Sequence, residues 1–192
     1  MSDIISGLRI AFATMAICVA GYALVILGFA QAVMPATANG SLIARDDGTV
    51  IGSRQIAQAF TSPEYFWPRP SAVDYDGAGA GGSNLSPANP EIRAHAEALI
   101  AAYGGASTQN PIPADLVTAS GAGLDPHISR EGALFQVNRV AEARGIEPAA
   151  VRAVVNRLSE RPGGLFTPGR IVNVLELNLA LDAELASPAA TE

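Results

Sequence analysis

Three residues of the types found in a hydrolytic triad lie close together in this sequence: Ser120, Asp125 and His127. In such a triad the histidine accepts a proton from the serine, and the carboxylate orients the histidine from its other side. Ser120 stands between Ala and Gly instead of in a Gly-x-Ser-x-Gly elbow. Because so short a spacing makes the two-sided geometry difficult, the pattern favours a turn at Asp125 and Pro126 ahead of a helix.

A glycine-rich segment at residues 77–84 could in principle hold a phosphate group. A nucleotide fingerprint needs a strand before the glycines and a helix that opens directly on them. The nearest predicted helix begins only at Asn89, and no Gly-Lys-Ser/Thr follows the glycines. All 12 basic residues are arginine, which excludes a P-loop lysine and a Schiff-base lysine. The glycines therefore predict a structural turn.

Cysteine, histidine and net charge exclude further classes. The only cysteine, Cys18, lies in an apolar run, and the chain has two histidines, so neither a disulfide nor a structural zinc site is expected in the rest of the chain. The net charge of −6 lies beyond that run, because Asp3 and Arg9 cancel. An acidic domain is a poor partner for nucleic acid.

Residues 10–34 form the apolar run, in which only Thr14 and Gln31 are clearly polar. Since about 20 residues of helix cross the hydrocarbon core, the run predicts one transmembrane helix. A cleaved signal peptide is the alternative, supported by an A-x-A-like site at residues 36–38. Signal peptides have shorter apolar regions, of about 7–15 residues, so the length favours an uncleaved anchor.

The charges beside this run give almost no preference for orientation under the positive-inside rule. Arg9 lies on one side, while Arg45 and Arg54 lie on the other and are offset by Asp46 and Asp47. An anchor with a short N-terminal tail commonly keeps its tail inside, so we expect an exported domain.

The fold expected is mixed α/β, with a single N-terminal transmembrane helix followed by one compact, loop-rich soluble domain. The 19 glycines and 13 prolines predict many turns, while 49% apolar residues exclude a disordered chain. The expected organisation is an N-terminal tail (1–9), the transmembrane helix (10–34), a connector (35–47), a soluble extracytoplasmic domain (48–185) and a flexible tail (186–192).

Periodicity and capping residues predict the elements of the domain. These are a strand at 49–51, a helix from Ser53 to Phe60, a helix from Asn89 to Gly104, a helix from Ser129 to Gly145, and a helix from Pro148 to about Glu160. Leucines at alternate positions from 175 to 181 favour a strand, although leucine is also a strong helix former. On the helix after Ser129, Arg139 and Arg144 are placed away from the core, and Gln136 and Asn138 on a solvated face.

An aromatic-rich loop is predicted where Tyr65, Phe66 and Trp67 stand between prolines. It could bind a base or a partner by stacking, or fold back over the core. Its rigid residues suit an interface hot spot.

Several longer stretches together resemble one known family. They are residues 52–58 with 65–66 and 69–72, residues 81–85 with 89–90, residues 115–129, residues 136–145 and residues 172–182. In this order, behind one apolar run, they resemble the KdpC family, the small subunits of the bacterial Kdp potassium-transporting P-type ATPase. Ala122 and Ala80 depart from the family, which usually has serine at these positions.

The resemblance implies a non-catalytic accessory subunit in the bacterial inner membrane. With the orientation expected from the anchor, its N-terminus is cytoplasmic and its domain periplasmic. The implied partners are the potassium-channel-like subunit, the ATP-hydrolysing subunit and a small single-span subunit. The family is described as a catalytic chaperone that raises the ATP affinity of the ATP-hydrolysing subunit. Gln136 matches the family glutamine that is linked to nucleotide. The resemblance implies no tightly bound cofactor, and ATP is expected only as part of a transient complex with the catalytic subunit.

An exported domain cannot touch cytoplasmic ATP, so the expected location and the expected nucleotide contact conflict. We expect a domain that stabilises the complex near the potassium entrance, with an indirect effect on ATP. The alternatives are a membrane-tethered hydrolase that uses Ser120 and His127, and a ligand-binding domain released after Ala38.

Overall fold

The computed structural model describes residues 2–107, 109–166 and 169–185. It divides the chain into two compact units, residues 1–51 and 52–192. The first unit is built on helix α1 (Ser2–Val33), which is long and apolar enough to cross a membrane by its length and composition. Residues 2–9, predicted as a tail, are part of this helix. Its middle turn, Ala16–Gly21, is π-helical.

The two clearly polar side chains of the apolar run both have partners within the first unit. The hydroxyl of Thr14 donates to the carbonyl oxygen of Ile10 at 2.9 Å. Gln31 and Asn39 exchange two amide hydrogen bonds of 3.1 and 3.2 Å, across a short helix, α2 (Pro35–Ala38). Such internal partners are what a polar group needs where lipid replaces water.

A two-stranded hairpin follows, formed by β1 (Leu42–Ala44) and β2 (Val50–Ser53). The backbone N–H of Thr49 donates to Oδ1 of Asp47 at 2.8 Å and shapes the turn between the strands. β2 confirms the strand predicted at residues 49–51.

The helix predicted from Ser53 to Phe60 is wrong, because turns and irregular backbone follow β2. The hydroxyl oxygen of Ser53 accepts from the N–H of Gln55 at 3.1 Å. The N–H of Ala57 donates to the carbonyl oxygen of Leu124 at 2.9 Å. A long-range bond thus takes the donor that a helix would use locally.

Three predicted helices of the second unit are confirmed. They are α3 (Pro90–Ala102), α4 (Arg130–Arg144) and α5 (Pro148–Leu158). Asn89 Oδ1 accepts from the N–H of Glu91, and Ser129 Oγ accepts from the N–H of Gly132, both at 2.8 Å. Gly145 ends α4 with φ of 66°, which favours glycine.

The strand predicted from the alternating leucines is wrong: these residues form helix α6 (Val174–Glu184). Asn173 begins it by accepting the N–H of Glu176 at Oδ1, at 3.2 Å. The buried positions follow a helical repeat and include a polar residue between the leucines: Val174, Leu175, Leu177, Asn178 and Leu181. Burial on one helix face, together with the helix propensity of leucine, outweighs the period-two pattern.

Strands β3 (His127–Ser129) and β4 (Ile171–Asn173) pair antiparallel, with Ile128 opposite Val172. β3 leads directly into α4, and β4 leads directly into α6. The core gathers between them and α5, and its large fully buried side chains include Phe66, Leu116, Ile128, Val137, Val140, Val151, Val155, Leu177 and Leu181. The predicted mixed α/β class is confirmed.

Candidate functional site

Residues 62–70, here called the aromatic loop, lie against α4 and α6. Phe66 is fully buried in the core. Trp67, the only tryptophan of the chain, donates its ring N–H to the carbonyl oxygen of Ser62 at 3.0 Å. Its ring centroid lies 5.1 Å from that of Tyr103. The loop thus folds over the core, one of the two roles predicted for it.

Two buried amide side chains, here called the amide clamp, hold the main chain of this loop. Asn178 of α6 accepts the N–H of Phe66 at 2.8 Å and donates to the carbonyl oxygen of Phe66 at 3.0 Å. Gln136 of α4 accepts the N–H of Trp67 at 2.8 Å and donates to the carbonyl oxygen of Trp67 at 3.1 Å. Among the described residues no strand pairs with the loop, so the clamp supplies the partners that buried peptide groups require.

Arg139 extends this arrangement from α4. Its Nη1 donates to the carbonyl oxygens of Pro63 and Tyr65 at 2.7 and 3.1 Å. Its Nη2 donates to Oε1 of Gln136 at 2.6 Å, and the guanidinium lies 3.9 Å from the centroid of the Trp67 ring. Burial lowers the pKa of Arg139 to about 10, so the group remains a cation near neutral pH.

Arg144 holds the beginning of the loop. Its Nε donates to the carbonyl oxygen of Glu64 at 2.7 Å, and its Nη2 to Oδ1 of Asp182 at 2.7 Å. The hydroxyl of Tyr65 donates to the other oxygen of Asp182 at 3.2 Å. Burial, followed by the nearby charge of Asp182, raises the pKa of Tyr65. Helices α4 and α6 therefore both contribute neutral and charged partners to the loop.

The solvated face predicted for Gln136 is wrong, since only 1% of the residue is exposed, whereas Asn138 is exposed. The placement of Arg144 away from the core is also wrong, since it is 5% exposed. Both lie on the helix face that carries Val137 and Val140. Helical spacing therefore indicated that both residues are buried, whereas their polarity argued against burial. The nucleotide role of Gln136 stays a prediction.

The candidate triad is not assembled. Asp125 and His127 line a cavity of about 240 Å³ together with Arg69, Asp115, Ser129 and two isoleucines. Ser120 is 3% exposed and does not line this cavity. Within residues 2–107, 109–166 and 169–185, no hydrogen bond joins the hydroxyl of Ser120 to His127. The hydroxyl of Ser129 donates to Asp115 at 3.0 Å and accepts the N–H of Gly132, so it caps α4.

Asp125 instead organises the predicted turn, which is confirmed. Its Oδ1 accepts the backbone N–H of His127 at 3.0 Å, and its Oδ2 accepts Nη1 of Arg69 at 3.1 Å. Nδ1 of His127 lies 3.5 Å from Oδ1. Burial alone would raise the pKa of Asp125, but the bonds from His127 and Arg69 hold it below the usual value. This is an ion-pair cluster at a strand entry.

The glycine-rich segment is a structural turn, as predicted. The N–H of Gly81 donates to the carbonyl oxygen of Ala122 at 2.9 Å. A Cβ on Gly82 would lie 2.8 Å from the carbonyl oxygen of Gly121, so two backbones pack here without room for a side chain. The following helix, α3, opens at Pro90 and not on the glycines.

Across the described part of the chain, no group of three or more His, Cys, Asp or Glu side chains could hold a metal ion. Arg139 and Arg144 bind the main chain of the aromatic loop, while Arg69 within the loop pairs with Asp125 outside it. The residues described here therefore form an assembled contact surface around the loop.

Comparison with known proteins identifies the family of the chain. The family model of KdpC, the K+-transporting ATPase c chain, matches residues 4–183. A potassium-transporting ATPase KdpC subunit of Parvibaculum lavamentivorans is 57% identical over 182 residues, covering 95% of this chain and 97% of that protein. KdpC subunits of Burkholderia vietnamiensis and Geobacter sulfurreducens are 47% and 48% identical, over 95% and 86% of this chain and 97% and 89% of their own lengths. The chain therefore belongs to the KdpC family of subunits of the potassium-transporting ATPase.

Proposed function

We propose that this protein is a non-catalytic accessory subunit of an ATP-driven potassium uptake complex in the bacterial inner membrane. Its partners are the potassium-channel-like subunit, the ATP-hydrolysing subunit and a small single-span subunit. Helix α1 anchors it with the N-terminus in the cytoplasm, and the domain lies outside, near the potassium entrance, where it stabilises the complex. The membership in the family and the single apolar helix support this proposal.

The observation that carries the proposal is the closed environment of Gln136. Both polar atoms of its amide are bonded to the main chain of Trp67, and 1% of the residue is exposed. A nucleotide that took these bonds would leave the peptide groups of Trp67 buried without partners, at a cost of about 1–3 kcal/mol for each group. The proposed chaperone effect on ATP affinity is therefore indirect and exerted through the complex.

The neighbouring cations support the same interpretation. Arg139 is bonded to two carbonyl oxygens and to Gln136, and Arg144 to Glu64 and Asp182. A phosphate site would need cations free to face a ligand. An exported domain requires no phosphate site, so the exported location agrees with the closed environment of Gln136.

A labelling experiment tests the location. Ser83 is exposed, so Ser83→Cys in a Cys18→Ser background offers one thiol for a membrane-impermeant maleimide. Labelling in intact spheroplasts is expected, and labelling only after permeabilisation would overturn the exported location.

Mild detergent extraction of the tagged protein should bring the larger subunits with it; a tagged protein that purifies alone would contradict the accessory role.

A further inference from the structure

The amide clamp treats Phe66 and Trp67 alike, although the family resemblance links only Gln136 to ATP. Each amide accepts one N–H and donates to the carbonyl of the same residue, with all four distances between 2.8 and 3.1 Å. Gln136 and Asn178 are each 1% exposed. In chemistry and in burial the two side chains do the same work on consecutive residues.

We propose that Gln136 and Asn178 are one pair of positioning residues, and that the effect of Gln136 on ATP affinity passes through the aromatic loop they hold. This rests on the proposed function, in which the domain acts on ATP from a distance. It assigns an equal effect to Asn178, which lies on a different helix.

Charged groups one turn further along each helix strengthen the coupling between the two amides. Arg139 follows Gln136 on α4 and joins it to Pro63 and Tyr65. Asp182 follows Asn178 on α6 and accepts the hydroxyl of Tyr65. The same short loop is thus bonded to both helices through two turns, so release of either amide loosens a shared segment.

Packing on the other side of the loop leaves it room to move. Trp67, Pro68 and Pro70 line a cavity of about 240 Å³ that also borders Tyr75 and Tyr103. On that side the Trp67 ring contacts Tyr103, but the cavity leaves part of the loop without close packing. The main chain of Trp67 therefore depends on the clamp and on Arg139 for its hydrogen bonds.

The test uses the complete pump purified with Gln136→Met or Asn178→Leu, which remove hydrogen bonding while keeping side-chain size. We expect each variant to raise the apparent KM for ATP by about fivefold or more, a typical effect of coupling between sites, with little change in kcat. The apparent KM of the double variant should exceed that of the stronger single variant by no more than about twofold, since both substitutions act on one segment. Asn138→Leu, on the exposed face of α4, is the matched control and should leave the KM unchanged.

Fluorescence of Trp67 in the isolated full-length protein reports the loop directly. Both single variants should shift its emission to longer wavelength, whereas Asn138→Leu should leave it unchanged. A raised KM in Gln136→Met with no change in Asn178→Leu overturns the positioning pair. An unchanged KM in both variants, with shifted fluorescence, overturns the proposed ATP effect instead.

Discussion

The guanidinium of Arg139 lies 3.9 Å from the centroid of the Trp67 ring while the same group donates to the carbonyl oxygens of Pro63 and Tyr65. One side chain thus stacks on the loop and bonds to its main chain. Only the planar fork of arginine can do both at once, because lysine offers a single point of charge.

Replacement of Arg139 should therefore be costly even by lysine. We expect Arg139→Lys to destabilise the second unit by about 2 kcal/mol, since hydrogen bonds to charged groups contribute about 1.5–3 kcal/mol each. Thermal unfolding in detergent, followed by circular dichroism, measures the change. Arg93→Lys, whose side chain is 86% exposed, should change stability by less than about 0.5 kcal/mol. Equal effects of the two variants would contradict the double role of Arg139.

Gly123 should not tolerate a side chain. Its φ is +70°, and a Cβ there would lie 2.5 Å from Val73 and 2.9 Å from the carbonyl oxygen of Gly81. Gly123→Ala should destabilise the protein by more than the roughly 1–3 kcal/mol of backbone strain alone. Gly121→Ala is the matched control, because a Cβ there meets nothing within 4 Å. A Gly123 variant that unfolds at the temperature of the control would show that the two loops do not pack as described.

Acid should weaken the cluster around Asp125. Its pKa is lowered in the folded protein from an ordinary value of 3.8, so its contribution is fully present above that value and is lost as the pH falls through the lower, folded value. Melting temperatures measured at intervals below pH 5 should fall less steeply in Asp125→Asn than in the unmodified protein. Asp46→Asn, at an exposed position, should leave the slope unchanged. Parallel slopes for all three proteins would refute the lowered pKa.

Ser120→Ala should leave function intact, because Ser120 is buried and has no hydrogen bond to His127. Cells that depend on the variant should grow in limiting potassium at the rate of cells with the unmodified protein. Immunoblotting confirms equal amounts of the subunit. Loss of growth at equal abundance would support the alternative hypothesis of a membrane-tethered hydrolase.

The sequence predicted best where the signal is local. Asn89 and Ser129 cap α3 and α4 through bonds to residues two and three positions on, and such bonds depend on short segments alone. The helix predicted after Ser53 was wrong because the N–H of Ala57 bonds to Leu124, far along the chain. The strand predicted from the leucines was wrong because the buried face of the helix includes Asn178. A polar residue at that position suggested an exposed side and so favoured the alternating pattern of a strand.

The candidate site was harder to predict for the same reason. Gln136 bonds to Trp67 across 69 positions, and Asn178 to Phe66 across 112. Helical spacing places Gln136 on the buried face of α4, but no local pattern identifies the distant main chain that becomes its partner. The aromatic loop itself was predicted from its prolines, but the residues that hold it were not: Gln136 was predicted on a solvated face and linked by the family resemblance to nucleotide, not to the loop.

The amide clamp also sets how the domain responds to its surroundings. Side-chain amides carry no charge and do not titrate, and the adjoining Arg139 keeps its proton until the pH approaches its pKa of about 10. At 0.1 M ionic strength salt largely screens exposed charges that are more than about 10 Å apart, but it has little effect on hydrogen bonds between buried neutral groups. The main chain of Phe66 and Trp67, which the clamp holds, should therefore depend less on the surrounding salt concentration than the ion pair of Arg69 and Asp125 does.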